Sequence, residues 1–277
     1  MVINSVCLCL TFRCDLQCRH CFASAGPDRT EEMTVEQISL AIDNSFENCY
    51  RMWFSGGEPT VALEKLLYGL EYSKKKKEIF GFPKKICVQT NGNFAKTKRD
   101  AVKHLAQFYR HGANEIDITS NDTFHFEQMD KNIPVMLANI ANKMGVFENV
   151  MIGGSEYKVV KRFGRAKNIS LDELEDFDMK YTRQCVLTET DLVIHPSGDV
   201  VPCIYGFENV IGNIYEKKLI EIVENYTKSG VYCLFESRKI YDFFQTTFAK
   251  MGEGNPDICE LCNDYISLYR NERCDHC

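Results

Sequence analysis

Three cysteines near the N-terminus, Cys14, Cys18 and Cys21, stand in a C-x3-C-x2-C pattern. An iron–sulfur cube usually takes four cysteine thiolates. Three would leave one iron open to a small molecule, which that iron can hold and reduce. Zinc ligation or redox-inert thiols are the other readings of such a cluster. A second motif, Ser55-Gly56-Gly57-Glu58-Pro59-Thr60, lies further along the chain. Paired glycines let backbone carbonyls approach a ligand, and Glu58 adds a charged acceptor beside them. Such a ledge suits an ammonium group, which offers three donors. An ordinary strand-to-helix turn opened by Pro59 would use the same residues.

Both motifs need elements that bring them together. Val6-Cys7-Leu8-Cys9-Leu10-Thr11-Phe12 alternates as a buried strand does, so the cysteine trio falls on the loop leaving it. Further strands are expected over 50–55, 84–90, 115–120 and 149–153, with helices over 34–48, 60–77, 95–111 and 124–144. Thr34 with Gln37 three residues on forms an N-terminal capping box. Repeated strand–helix units predict an α/β fold with a parallel sheet, open or closed into a full or partial barrel. Barrels of this kind place their chemistry at the C-terminal ends of the strands.

The character changes after residue 168. Asp191–Ile194 and Val200–Cys203 flank the turn Pro196-Ser197-Gly198-Asp199 as a hairpin, and a helix is expected over 214–226. The last nineteen residues hold four cysteines. The sequence therefore divides into an α/β body, 1–168, and a small cysteine-rich α+β domain, 169–277.

With 277 residues the chain is long enough for these two parts, and its net charge of −6 gives no basic field to recommend a nucleic-acid partner. No secretory signal is evident, and no apolar run is long enough to span a bilayer, so neither export nor a membrane is expected. In a cytoplasmic protein, fourteen cysteines read better as metal ligands than as a disulfide framework. The run Lys74-Lys75-Lys76-Lys77 reads as a solvated helix end.

Cys14-x3-Cys18-x2-Cys21 on a first loop and Gly56-Gly57-Glu58-Pro59 on a second resemble the radical S-adenosylmethionine (SAM) superfamily. The resemblance spans residues 5 to about 165 and implies a partial (β/α)6 TIM-like barrel. It implies a [4Fe–4S] cluster on Cys14, Cys18 and Cys21 whose open iron chelates the amino and carboxylate groups of SAM. Reductive cleavage of SAM would then give a 5′-deoxyadenosyl radical that abstracts a substrate hydrogen. Gly56, Gly57 and Glu58 would take the SAM amino group. His20, where the family often has an aromatic residue, would lie near adenine. Thr90 and Ser120, at the ends of the third and fourth strands, would face the cofactor, Ser120 at the ribose; polar strand ends with turn chemistry are the alternative. Ile152-Gly153-Gly154 would pack against adenine, and Lys158, Arg162 or Arg165 would pair the SAM carboxylate.

In the C-terminal part, Cys185, Cys203, Cys259 and Cys262 are similar to the opening of the SPASM/twitch extension of that superfamily, which binds auxiliary clusters. The full pattern continues C-x2-C-x5-C-x3-C, but Leu268 and Glu272 stand at the next two cysteine positions. The departure favours a twitch-like version with one auxiliary [4Fe–4S] cluster on those four cysteines, against structural zinc. Cys274 and Cys277 are left without a role.

Cys7, Cys9, Cys49 and Cys87 lie in or beside apolar segments and read as small core residues. Cys233 falls between the auxiliary ligands. Since some peptide epimerases of the superfamily return a hydrogen atom from a thiol, it is a donor candidate beside the plainer reading of a buried residue. His125 follows the fourth strand on the active face and is a candidate for substrate contact or proton transfer, or else a satisfied histidine.

The resemblance implies a maturase of a ribosomally synthesised peptide, which forms a crosslink, epimerises a residue or excises a fragment. A twitch-type small-molecule dehydrogenase, of amino sugars for instance, is the second reading. A non-enzymatic iron–sulfur or zinc-binding protein is the third. With thirteen residues before Cys14, no fused N-terminal peptide-binding domain is expected. A peptide would then be presented by a separate leader-recognition protein or by the enzyme surface, with a reducing electron donor as the other partner.

Overall fold

The computed structural model describes residues 3–47, 49–153, 160, 163–170, 173, 191–204, 209–229 and 232. Five strands, β1 (Ile3–Cys9), β2 (Cys49–Ser55), β3 (Lys85–Thr90), β4 (Glu115–Ile118) and β5 (Asn149–Ile152), pair in chain order, every one parallel to its neighbour. The helices α1 (Val35–Ser45), α2 (Leu63–Phe80), α3 (Lys98–His111), the short α4 (Thr123–Phe126) and α5 (Asn132–Met144) lie in the connections. α1, α2, α3 and α5 pack in sequence along one face of the sheet. This is the parallel sheet that the alternation of elements predicts, in the partial-barrel form that the resemblance implies.

Period-two alternation sorts the two faces. Val6, Leu8, Met52, Phe54, Ile86, Val88, Ile116 and Ile118 are wholly buried in one core with Ile38, Leu66, Leu70, Leu105 and Leu137 of the helices. Their neighbours Ser5, Cys7, Cys9, Trp53, Ser55 and Gln89 line a cavity on the other face. Burying a side chain such as Phe54 contributes about 2–3 kcal/mol each, so the helix-facing residues hold the sheet in place.

β1 ends at Cys9, short of the expected Phe12, because Thr11 and Arg13 leave it to bridge Glu32 and Gly26. The expected helix over 124–144 is two helices, and the Asp130 carboxylate starts the second by accepting the Asn132 N–H at 2.9 Å. The capping box is present: Thr34 Oγ1 accepts the Gln37 N–H and Gln37 Oε1 accepts the Thr34 N–H. Lys76 departs from the solvated reading. Its ammonium pairs with Asp43 at 2.5 Å among the rings of Phe46, Tyr72 and Phe80.

The hairpin β6 (Asp191–Ile194) and β7 (Asp199–Val201) does not stand apart. β6 pairs parallel with β1, on the side away from β2, and β7 carries a further short strand, β8 (Gly212–Asn213). The order β5-β4-β3-β2-β1-β6-β7-β8 makes one eight-stranded sheet with six parallel strands. Helix α6 (Leu219–Tyr226) begins later than expected, because Gly212 and Asn213 are spent on β8 and Asn213 Oδ1 accepts the Tyr215 N–H.

Candidate active site

The loop after β1 closes on itself. Cys14 N–H donates to Gly26 O at 3.1 Å and Gly26 N–H to Phe12 O at 3.2 Å. Cys14 and Cys18 are buried and Cys21 is half-buried, all three as unbridged thiols on the wall of one 520 Å³ cavity. Burial pushes the Cys14 thiol far up and the Cys18 thiol up to about 12. Metal ligands are thiolates, so loading a metal here must expel these protons.

The Gly56–Pro59 loop is stitched to the cysteine loop by backbone. Gly57 N–H donates to Thr11 O at 2.7 Å and Glu58 N–H to Arg13 O at 3.0 Å. Gly56 has φ +144°, and a Cβ there would meet Thr11 O at 2.2 Å; one at Gly57 would meet Arg13 O at 2.4 Å. The glycines are thus required by a close approach of two chain segments, and both still line the cavity.

Glu58 sits elsewhere than expected. It is fully buried and off the cavity wall. Its carboxylate accepts the Thr60 N–H and Oγ–H, the Thr90 Oγ–H and the Asn91 N–H, all at 2.6–3.0 Å. Desolvation raises its pKa to about 7 against these donors. The side chain is a lock between the loops after β2 and β3. Ser120 is also fully buried and donates to Asn91 O at 2.6 Å, so its hydroxyl does not face the cavity. Thr90 lines the cavity, but its hydroxyl is spent on Glu58 and on the Gly92 N–H.

His20 and His125 both line the cavity. The His20 ring stacks on Phe124, with centroids 4.9 Å apart and planes at 21°, and meets His125 edge-on at 4.8 Å. Burial lowers the His20 pKa to about 4, and its buried Nδ1 has no partner among the described residues. Asp122 caps α4 through the His125 N–H and holds His125 Nδ1 at 2.6 Å. Donor atoms of His20, Asp122 and His125 lie within 4.8 Å of one another. The 2.6 Å contact is nevertheless hydrogen-bond spacing, closer than two ligands of one metal at about 2 Å would sit. Asp122 and His125 are a hydrogen-bonded pair, and His20 packs its ring against His125 with Nε2 3.9 Å from the carboxylate.

Arg165 is the described member of the three cationic candidates; Lys158 and Arg162 lie outside the described residues. Its Nε donates to Cys18 O at 2.9 Å, and its Nη2 is buried with no partner among the described residues. Cys203, after β7, is half-buried. Gly154, Cys185, Cys233, Cys259, Cys262, Cys274 and Cys277 lie outside the described residues.

Sequence reasoning missed the place of Cys7 and Cys9 on the cavity wall. They share a strand face with Ser5 and line the cavity, while Cys9 is also buried, as expected, in an apolar cluster with Phe12, Val193 and Val201 against which Cys7 packs. The signal was present, since period two places them opposite the apolar Val6 and Leu8. It also missed the Asp122 hold on His125 and the contacts of Asn91 with Asp15 and Cys14.

Residues 8–119 match the model of the radical SAM superfamily, and residues 185–263 match that of an iron–sulfur cluster-binding domain, SPASM. The chain belongs to the radical SAM superfamily. It is 26% identical over 258 aligned residues to the antilisterial bacteriocin subtilosin biosynthesis protein AlbA of Bacillus subtilis (strain 168). That match covers 74% of this chain and 56% of AlbA, so the chain spans little more than half of that relative's length. Among solved structures it is similar to BtrN in complex with AdoMet and 2-DOIA (TM-score 0.53, 18% identity, 82% of this chain and 85% of that one). It is also similar to anSMEcpe with bound AdoMet and Cp18Cys peptide (TM-score 0.50, 17% identity, 80% of each chain). At these identities the likeness is one of fold.

A radical SAM protein of this kind carries a [4Fe–4S] cluster and SAM, and its SPASM domain an auxiliary iron–sulfur cluster. The cavity fits the first two. Three unbridged thiols on one loop match a cluster with an open iron, and the orphaned Nη2 of Arg165 beside them matches an anionic acceptor.

Proposed function

We propose that this radical SAM enzyme is a maturase of a ribosomally synthesised peptide. The observation that carries the radical SAM part is one cavity on which the thiols of Cys14, Cys18 and Cys21 converge with Gly56, Gly57 and Arg165. Bound together, cluster and SAM supply one-electron cleavage of a sulfonium and abstraction of a hydrogen atom. The chain's own residues bind and orient. In this reading the three thiolates hold the cluster, the Gly56–Gly57 backbone receives the SAM amino group, and Arg165 Nη2 receives the carboxylate. The flat His20 ring, braced on Phe124, bounds the adenine. Glu58 and Thr90 act by locking the loops rather than by touching SAM. With Nδ1 held by Asp122, His125 keeps Nε2 for a proton at the cavity wall.

Cys185, Cys203, Cys259 and Cys262 are the proposed ligands of the auxiliary cluster. The SPASM match runs from Cys185 to the residue after Cys262 and stops short of Cys274 and Cys277, which supports this set. Cys233 remains the candidate hydrogen donor. The peptide substrate is supported by the relation to a bacteriocin biosynthesis protein, whereas a small-molecule dehydrogenase has only likeness of fold to BtrN in its favour. A leader-recognition protein and a reducing electron donor are the proposed partners. Unbridged thiols and a reduced cluster suit a cytoplasmic setting, and no helix among the described residues is long and apolar enough to cross a membrane.

The test is anaerobic reconstitution with iron and sulfide, followed by dithionite and SAM. The parent should release 5′-deoxyadenosine, and C14A, C18A and C21A should release none while keeping the auxiliary iron. Continued release from the variants would sink the assignment. Co-expression with short peptides encoded beside the gene should give a peptide mass change. Turnover of amino sugars with no change in any such peptide would decide for the dehydrogenase.

A further inference from the structure

Around Cys14 the loops after β1 and β3 form a buried polar network that the reading above leaves unused. Asn91 is buried, and the structure fixes each of its polar atoms. Its backbone N–H donates to Glu58 Oε2 at 2.7 Å, and its backbone carbonyl accepts Ser120 Oγ–H at 2.6 Å. Its side-chain Oδ1 accepts the Asn93 N–H at 2.8 Å. That last bond settles which end of the amide points where, since an N–H can be met only by the oxygen. The NH2 end therefore faces the cysteine loop. It lies 2.9 Å from Asp15 Oδ1 and 3.8 Å from Cys14 Sγ.

Cys14 Sγ thus has two N–H groups aimed at it, that of Asn91 and the backbone N–H of Leu16 at 3.4 Å. Asp15, whose carboxylate lies 3.9 Å from the same sulfur, is held by two amides, Asn91 and Asn93, the latter at 2.7 Å. Lys96 in turn pairs with Asn93 Oδ1. Donors on a cluster sulfur stabilise the more negative, reduced state, and a nearby carboxylate opposes it. Both hands of the Asn91 amide act in the same direction, one on the sulfur and one on the anion beside it.

The geometry points to Asn91 as a positioning residue that raises the reduction potential of a cluster held at Cys14, against the field of Asp15. This rests on the reading of Cys14 as a cluster ligand. It predicts opposite shifts from two isosteric changes. N91D removes both donors and should lower the potential, so that at a fixed reductant the ratio of reduced to oxidised cluster falls about tenfold, equivalent to 59 mV for one electron. D15N removes the anion and should raise the ratio.

The experiment is a redox titration of the reconstituted full chain, followed by electron paramagnetic resonance with and without SAM. The triple variant C14A/C18A/C21A supplies the auxiliary-cluster baseline. Opposite shifts in N91D and D15N, with iron and sulfide as in the parent, support the inference. If N91D fails to assemble the cluster, N91A, which removes the donors and adds no charge, takes its place, a fall supporting the inference and an unchanged midpoint overturning it. Midpoints unchanged in both variants overturn it while leaving the cluster reading intact. A parent with no SAM-responsive signal beyond the triple variant overturns the cluster reading and this inference together.

Discussion

The two faces of the central sheet obey different rules. Toward the helices, β1 to β4 present Val6, Leu8, Met52, Phe54, Ile86, Val88, Ile116 and Ile118, an apolar layer with no exposure. Toward the cavity the same strands present Ser5, Cys7, Cys9, Trp53, Ser55 and Gln89, with Asp117 beside Gln89 on the same face. Of these, Ser55 Oγ donates to Gln89 Oε1 at 2.6 Å and Gln89 Nε2 to Asp117 Oδ2 at 2.8 Å. One face is closed by shape and hydrophobic burial, whereas the other keeps its polar groups satisfied among themselves and leaves room. Stability therefore resides on the outer face and chemistry on the inner one, although both are read from alternate residues of the same strands.

That contrast can be broken most sharply at Phe54. It packs so closely that a Cβ on Gly69 would stand 2.6 Å from its ring. F54A should cost roughly 3–5 kcal/mol in denaturant unfolding of the cluster-free chain. A loss under 1 kcal/mol would mean that the outer face is not the support. A smaller effect comes from Glu58, the buried carboxylate at the boundary of the two regimes. Its folded pKa of about 7 exceeds the ordinary 4.5, so the folded state binds more protons than the unfolded one between those values. His20, held neutral by burial, acts the other way in the same window, so the Glu58 contribution is read against E58Q: relative to that variant, the cluster-free chain should lose stability as pH rises from 4.5 to 7, by roughly 3 kcal/mol at most, and then level off. A difference between parent and E58Q that stays flat over that window would contradict the burial of this charge.

Smaller again is T90V, which keeps the shape but removes one donor from Glu58 and the acceptor of the Gly92 N–H. About 2 kcal/mol of destabilisation is expected from the unfolding midpoint, and none would show the lock to be idle. The smallest effect is assigned to the inner face. C7S alters a half-buried thiol on the cavity wall and should move stability by under about 1 kcal/mol. A loss matching F54A would erase the distinction between the faces.

The legible parts of the sequence were those governed by local rules. Alternation gave the strands, the Thr34–Gln37 pair gave the start of α1, and the cysteine and glycine motifs landed on one cavity. What escaped depended on partners distant in the chain. Glu58 reads as a ligand when seen beside Gly57, but Thr90 and Asn91, more than thirty residues on, capture its carboxylate. Ser120 is taken by Asn91 in the same way. β6 reads as part of a separate hairpin, since nothing in Asp191–Ile194 announces that its neighbour is β1. Cys7 and Cys9 read as packed residues, which they are, but composition names a burial preference and not the side of the sheet on which it is met.

The pairing of β1 with β6 also orders events during synthesis. One edge of β1 meets β2, some forty residues later in the chain. Its other edge waits for Asp191, whose carboxylate accepts the Ser5 Oγ–H across 186 positions of sequence. Loop closure over such a span is slow compared with the local strand–helix units. The nascent chain thus assembles its βα layer first, with the cysteine loop already formed beside an unfinished edge. β1, at the centre of the sheet, is the strand whose neighbourhood is completed late.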